Sequence, residues 1–202
     1  MTITITTRPN VGSSGIVDDG GFAGFGSGGF DDDDLLIFGD ELDNLLEGGI
    51  GHDKIEGNEG NDTINGGEGN DSLGGGPGDD IIDGQGGGGE KEKDKLFGDA
   101  GNDILRAGHG FDELTGGSGN DIFETYALGH FQIRDFTIGE DRLLFDTEIT
   151  GVKDIDDLVQ LVTHVDQSED GVTVEFLDNA VSIELVGINL ADITPDMIIF
   201  SL

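Results

Sequence analysis

Eight aspartates fall on a nine-residue spacing. Asp53, Asp62, Asp71 and Asp80 are nine apart, and so are Asp94, Asp103, Asp112 and Asp121. They lie in the strings GGIGHDKIE (48–56), GNEGNDTIN (57–65), GGEGNDSLG (66–74), GGPGDDIID (75–83), GDAGNDILR (98–106), AGHGFDELT (107–115) and GGSGNDIFE (116–124). Every string has Gly at its fourth place, Asp at its sixth and Ile, Leu or Phe at its eighth. A carboxylate at fixed intervals, preceded each time by a turn with bare carbonyls, offers oxygen donors only. That donor set suits a hard metal cation, which takes carboxylate and backbone oxygens together. The chain has no cysteine, which excludes thiolate sites, disulfide staples and cysteine nucleophiles.

Such donors work only if the backbone holds them in place. The first six residues of each repeat must turn tightly, and glycine reaches φ > 0 there without a Cβ penalty. The last three should form a short strand whose middle residue points inward. Leu36, Leu45, Ile55, Ile64, Leu73, Ile82, Leu96, Leu105, Leu114 and Phe123 are then the expected core. One inward side chain per nine residues is too little. At ~25 cal/mol per Å2 of buried apolar surface it cannot offset the ordering entropy of the repeat. A bound ion would supply the missing free energy, so folding is expected to depend on it.

Composition agrees. The 202 residues include 38 glycines and carry a net charge of −35. A chain this acidic repels itself when compact. Nucleic acid and anionic membrane surfaces are excluded as partners because both are negative. No apolar run is long enough to span a membrane. Residues 1–9 lack the basic and apolar regions of a cleaved signal, so any export is expected to use another route.

Three regions separate: a flexible N-terminal segment (1–28), the repeats (29–124) and a glycine-poor C-terminal part (125–202). Within the repeats, 29–46 is degenerate. Asp34 and Asp43 are read as its sixth-place aspartates, with Glu47 as one extra residue before the regular array. Between Asp80 and Asp94 lie five additional residues, an insertion at 84–93. With Lys91, Lys93 and Lys95 in and beside it, this is read as a solvated loop, with a partner-binding loop as the sharper alternative. In the C-terminal part, Ile155, Leu158, Val159 and Val162 share a helical face behind an Asp154 N-cap. Val172, Val174 and Phe176, then Val181, Ile183 and Leu185, alternate as a hairpin around Asp178-Asn179. There is no H-E-x-x-H and no G-x-S-x-G, and no enzyme activity is expected. His52, His109, His130 and His164 are isolated; His52 and His109 sit at variable repeat places and should face solvent.

The array resembles the RTX (repeats-in-toxin, hemolysin-type) calcium-binding repeats, whose pattern is G-G-x-G-x-D-x-U-x. The segment HFQIRDFTIGEDRLLF (130–145) is similar to the stretch that follows such repeats, with Asp135 and Asp141 as capping residues. The tail LADITPDMIIF is similar to that of type I secreted proteins. The resemblance implies an all-β fold: a right-handed parallel β-roll of nonapeptide repeats with a C-terminal β-rich cap. It also implies that repeats n and n+2 stack and hold several Ca2+ ions between their turns. In that arrangement one turn gives the first- and third-place carbonyls and its Asp. The next gives the second- and fourth-place carbonyls and its Asp.

Carried over, the first site is Gly48, Ile50 and Asp53 with Gly67, Gly69 and Asp71. The second is Gly57, Glu59 and Asp62 with Gly76, Gly78 and Asp80. The third is Gly98, Ala100 and Asp103 with Gly117, Gly119 and Asp121. A fourth pairs Gly75, Pro77 and Asp80 with Asp99, Gly101 and Asp103, provided the insertion loops out. Gly108, Gly110 and Asp112 belong to the coil that faces Asp94, where the interruption puts the geometry in question.

The resemblance further implies a secreted, extracellular or cell-surface protein that folds on calcium outside the cell, delivered by a type I secretion apparatus. Two other roles stay open. The chain is either a C-terminal module of a secreted protease, lipase or epimerase, or an adhesin or surface-layer component that self-associates through calcium.

Overall fold

The computed structural model describes residues 16–18, 34–85, 92–125, 129–146, 151–176 and 180–200. The nine-residue period makes each repeat a turn plus a short strand, and successive repeats deliver their strands to opposite sheets. One sheet holds β3 (Leu45–Ile50), β5 (Thr63–Glu68), β7 (Ile81–Gln85), β9 (Ile104–Ala107), β11 (Ile122–Thr125), β13 (Arg142–Phe145) and β17 (Ile198–Phe200). Every pairing in it is parallel.

The other sheet runs in parallel through β2 (Leu35–Phe38), β4 (Lys54–Glu56), β6 (Ser72–Pro77), β8 (Lys95–Ala100), β10 (Gly110–Ser118) and β12 (Gly129–Ile133). It continues into β16 (Val181–Val186), β15 (Gly171–Phe176) and β14 (Val162–Gln167), the last three as antiparallel neighbours. At its other end β1 (Ile16–Asp18) pairs antiparallel with β2. Thus three residues of the N-terminal segment are strand, and the rest of 1–28 lies outside the described residues.

Two consecutive repeats complete one coil, so stacked partners are 18 residues apart, as in Ile37↔Ile55 and Ile55↔Leu73. Leu73 pairs with Leu96 and Ile82 with Leu105 across the insertion. The register is therefore the same on both sides of the insertion, whose residues 86–91, Lys91 among them, lie outside the described residues. This is a parallel β-roll. Its interior is the expected eighth-place column of Ile55, Ile64, Leu73, Ile82, Leu96, Leu105, Leu114 and Phe123, each at most 1% exposed.

The degenerate repeats correct the sequence reading. Ile37 and Leu46 are buried, while Leu36 and Leu45 are only half-buried. Ile37 pairs with Ile55, Leu46 with Ile64 and Glu47 with Asn65. Glu47 is therefore an ordinary ninth-place residue and the period is unbroken. The sixth places belong to Leu35 and Asn44, with Asp34 and Asp43 one place earlier. A one-residue slip would turn every side chain of these strands to the wrong face. Burial of Ile37 and Leu46 therefore sets the register against the acidic pattern.

The C-terminal cap closes the open end of the roll. Phe123 meets Phe136, and Phe145 meets both Phe176 and Phe200 at ring-centroid distances of 6.0–6.2 Å. Helix α1 (Ile155–Leu161) starts at Asp154, whose side chain accepts the Asp157 N–H as expected of an N-cap. It buries Leu158, whereas Val159, expected on the same face, is 63% exposed. The helix touches the cap with one narrow edge. Strands β15 and β16 form the expected hairpin, from Phe176↔Val181 to Gly171↔Val186; its tip at 177–179 lies outside the described residues.

Candidate metal centre

Stacking arranges the sixth-place residues in two columns, one along each edge of the roll. In the first, the backbone N–H of Leu35 donates to Asp53 Oδ1, Asp53 to Asp71, Asp71 to Asp94 and Asp94 to Asp112, at 2.7–3.0 Å. In the second, Asn44 donates to Asp62, Asp62 to Asp80, Asp80 to Asp103, Asp103 to Asp121 and Asp121 to Asp141, over the same range. Each carboxylate is thus fixed by the coil before it.

The second oxygen of each of these groups is different. Among the described residues, ten buried side-chain oxygens have no hydrogen-bond partner, and eight of them are Oδ2 of Asp53, Asp62, Asp71, Asp80, Asp94, Asp103, Asp112 and Asp121. For seven of the eight, Oδ2 folds back over the first-place glycine of its own turn; the turn of Asp112 has Ala107 at that place. A Cβ on Gly48, Gly57 or Gly98 would strike the Oδ2 of Asp53, Asp62 or Asp103. It would also strike the carbonyl oxygen of Gly66, Gly75 or Gly116 in the next coil. At these three turns carboxylate and carbonyl oxygens therefore crowd one small space that glycine leaves open. Buried anionic oxygens facing carbonyls are costly unless a cation joins them.

Protonation equilibria carry the same message. Burial raises every one of these carboxyls above the ordinary aspartate range, opposed by the backbone N–H each accepts and reinforced by neighbouring carboxylates. Asp94 is pushed up to about 8, Asp103 and Asp112 to about 7, and Asp71 and Asp80 to about 6. Asp53, Asp62 and Asp121 are raised for the same reason. Among the described residues no three His, Cys, Asp or Glu side chains converge on one point. An ion here would have to take backbone carbonyls for most of its shell, as hard cations readily do.

The turn pairs expected from the sequence do stack. Turn 48–53 lies over 66–71 through Gly49↔Gly67 and a Gly51 N–H bond to the Glu68 carbonyl. Turn 57–62 lies over 75–80, with Gly60 N–H on the Pro77 carbonyl at 3.1 Å. Turn 98–103 lies over 116–121 through Gly117↔Asp99 and a Gly101 bond to Ser118. Turn 75–80 lies over 98–103 through Gly76↔Asp99, with Gly78 N–H on the Ala100 carbonyl at 2.8 Å. Asp99, in a second place usually held by glycine, adopts φ +71°. The interrupted coil also keeps its place: Asp94 bridges Asp71 and Asp112, and Gly110 packs on the Glu92 carbonyl. Beyond Asp112 the column ends, because Phe131 pairs with it in the following strand.

A second ladder escaped the sequence reading. Fifth-place side chains accept the N–H of the fifth-place residue one coil later, opposite in sense to the aspartate columns. Asn61 donates to Asp43, Asp79 to Asn61, Asn102 to Asp79 and Asn120 to Asn102. On the other edge His52 donates to Asp34, Asn70 to His52 Nδ1 and Lys93 to Asn70. His52 is exposed as expected, but it is a rung in this ladder. The signal was present: Asn, Asp and His at the fifth place all carry an acceptor within reach of the neighbouring coil.

At the C-terminal end the carboxylates are closed by the chain itself. Asp141 Oδ1 accepts from Asp121 and its Oδ2 from Thr137, while Asp135 takes the N–H groups of Gly116 and Gly117. These two residues cap the last turns.

Fold and site together define a nonapeptide-repeat roll with an acidic, carbonyl-rich turn column on each edge. Residues 38–73, 57–90 and 88–123 match the family model of the RTX calcium-binding nonapeptide repeat (4 copies). Among solved structures, the chain is similar to the extracellular lipase LipA from Serratia marcescens (19% identity, 81% of this chain, 40% of that chain, TM-score 0.36). It is also similar to the AlgE6R3 subunit of the Azotobacter vinelandii mannuronan C5-epimerase (24% identity, 78% of this chain, 79% of that chain, TM-score 0.40). The chain thus spans 40% of the length of the lipase. No curated protein matches it.

Proposed function

We propose that this chain is a secreted, non-catalytic calcium-binding module whose β-roll folds when it meets extracellular calcium. The observation that carries the reading is the set of eight buried, unpaired Oδ2 atoms facing carbonyl-lined turns. The ions would be held by the four turn pairs described: Asp53 with Asp71, Asp62 with Asp80, Asp80 with Asp103, and Asp103 with Asp121. Each pair is completed by the first-to-fourth-place carbonyls of its turns. Gly108, Gly110 and Asp112 complete a further pair with Asp94. Calcium supplies positive charge where the net charge of −35 opposes compaction, and its binding free energy becomes folding free energy. Affinities in the ~10⁻⁴–10⁻³ M range would suit an extracellular module.

The test is circular dichroism during a calcium titration of the whole chain, with magnesium as control. Strand signal that appears only with calcium supports the reading. A roll already formed in excess chelator overturns calcium-driven folding, and no calcium bound at millimolar concentration overturns the module itself.

A further inference from the structure

The second sheet ends on a strand that no other described strand covers. Strand β14 is last in its order, and β15 pairs with it on one side only. Every residue from Thr163 to Gln167 is exposed, Val165 to 38%. Such an edge offers a row of free N–H and C=O groups, and proteins usually block it with lysine, proline or extreme shortness. The six residues VTHVDQ use none of these devices. The one irregularity, a bulge between Val162 and His164, leaves 164–167 in regular register.

The turn of the β14–β15 hairpin decides which groups are free. The Ser168 N–H donates to the Gly171 carbonyl at 2.9 Å. Bonded and non-bonded pairs alternate along an antiparallel ladder. Asp166 and His164 therefore spend their backbone groups on Thr173 and Glu175, and those of Val165 and Gln167 point to the open side. Side chains alternate too, so His164 and Asp166 share one face. Among the described residues neither side chain makes a hydrogen bond or an ion pair, although Glu175 lies opposite His164.

A second copy of this chain fits that edge. Two β14 strands meeting antiparallel about a twofold axis, with the open groups of Val165 used, centre on residue 164, 165 or 166. Centring on 164 sets His164 against His164. Centring on 166 sets Asp166 against Asp166, and like charges directly opposite are destabilising. Centring on 165 makes a bonded pair of the two Val165 residues and places each His164 opposite the partner's Asp166. The edge is thus complementary in charge to itself in that register alone.

We propose that β14 joins two copies of the folded chain into a dimer, with one sheet continuous across the axis and His164 paired with Asp166 twice. This goes beyond the calcium reading, since the contact uses backbone and side chains and needs no ion of its own. One short strand per copy is far below a standard interface, so the dissociation constant should lie above ~1 μM.

The test is analytical ultracentrifugation of the whole chain in saturating calcium, from ~10 μM to ~1 mM, with circular dichroism reporting the fold. Wild type should pass from monomer to dimer. V165P removes an N–H that points to the open side, where an edge strand tolerates proline, and should abolish the dimer. H164D and D166K should each weaken it at least about tenfold. An equimolar mixture of those two variants should restore it, because the carboxylates of one copy then face the cations of the other. Should V165P fail to fold, the mixture decides. A monomer at every concentration, a dimer that survives V165P, or a mixture no tighter than its components overturns the pairing of β14 and leaves calcium binding untouched.

Discussion

The Asp53 N–H donates to Asp71 Oδ1 at 2.8 Å, while Oδ2 of the same Asp71 carboxylate accepts nothing. One side chain therefore has two separable duties. Oδ1 registers one coil on the next, and the unpartnered Oδ2 carries the charge that the proposed calcium ion would take up. Asp71→Asn should separate them, because an amide oxygen can still accept the Asp53 N–H. The ladder survives, and calcium affinity at the sites containing Asp71 falls about tenfold or more with the loss of ligand charge. Asp71→Ala should add a stability loss of about 1–3 kcal/mol by orphaning a buried N–H. Calorimetric calcium titration and denaturant melts at saturating calcium distinguish the two.

The pH dependence should differ in sign with and without calcium. In the metal-free roll, Asp94, at about 8, and Asp103 and Asp112, at about 7, sit well above the unfolded value of 3.8. A raised folded pKa means that the folded state holds more protons. Its stabilisation is complete below pH ~4 and lost as pH climbs through 6 to 8. Calcium competes with those protons and requires the carboxylates ionised, so its affinity should rise over the same window. Ellipticity of demetallated protein between pH 4 and 8, with and without added calcium, should give opposite slopes.

Gly69 is held at φ +144°, and a Cβ there would run into the Gly51 carbonyl in the coil below. Gly69→Ala therefore faces both backbone strain and a clash with backbone that cannot rotate away. The cost of the strain alone is about 1–3 kcal/mol. The calcium midpoint for folding should move to higher concentration. A midpoint equal to wild type would show that the stacked turns are looser than this geometry.

How much of this was legible in the sequence depended on redundancy. The aspartate at the sixth place and the Ile, Leu or Phe at the eighth repeat seven times, so the period and the inward column followed directly, while the roll came from the resemblance those repeats carry. The degenerate repeats misled by one residue because acids are abundant there: with Asp31 to Asp34 in a row, the aspartate spacing admits more than one register. Pairing of Ile37 with Ile55 decides it, and that pairing is a tertiary contact. Continuity across the insertion was likewise hidden, since whether five residues leave the coil or distort it depends on strand pairing at Leu73↔Leu96. The capping of Gly116 and Gly117 by Asp135 joins residues whose proximity exists only after the chain has wound.

Asn102 is the middle of the fifth-place ladder. Its N–H and amide donate to Asp79 at 2.7 and 2.9 Å, and its oxygen accepts from Asn120. These bonds are exposed, so water replaces part of what is lost. Asn102→Ala should cost about 0.5–1.5 kcal/mol and leave the number of bound calcium ions unchanged, because Asn102 bonds the fifth-place Asp79 and none of the sixth-place carboxylates. Denaturant melts with parallel calcium counting check both halves.

Asp141 completes the second column without needing an ion, since Thr137 N–H occupies its Oδ2 at 2.7 Å. The roll therefore has one end whose last carboxylate is satisfied by protein alone, and winding could start there with the ordering of that turn already secured. Asp141→Ala removes acceptors from two N–H groups at once, those of Asp121 and Thr137. A buried unsatisfied donor costs about 1–3 kcal/mol, so the last coils should loosen and the calcium midpoint rise. The count of bound ions at saturation should stay the same, because Asp141 has no free oxygen to give. Hydrogen exchange would locate the loss: protection should fall first at Asp121 to Thr125 and only later at the coils around Asp62. Equal loss along the whole roll would mean that the cap does not anchor it.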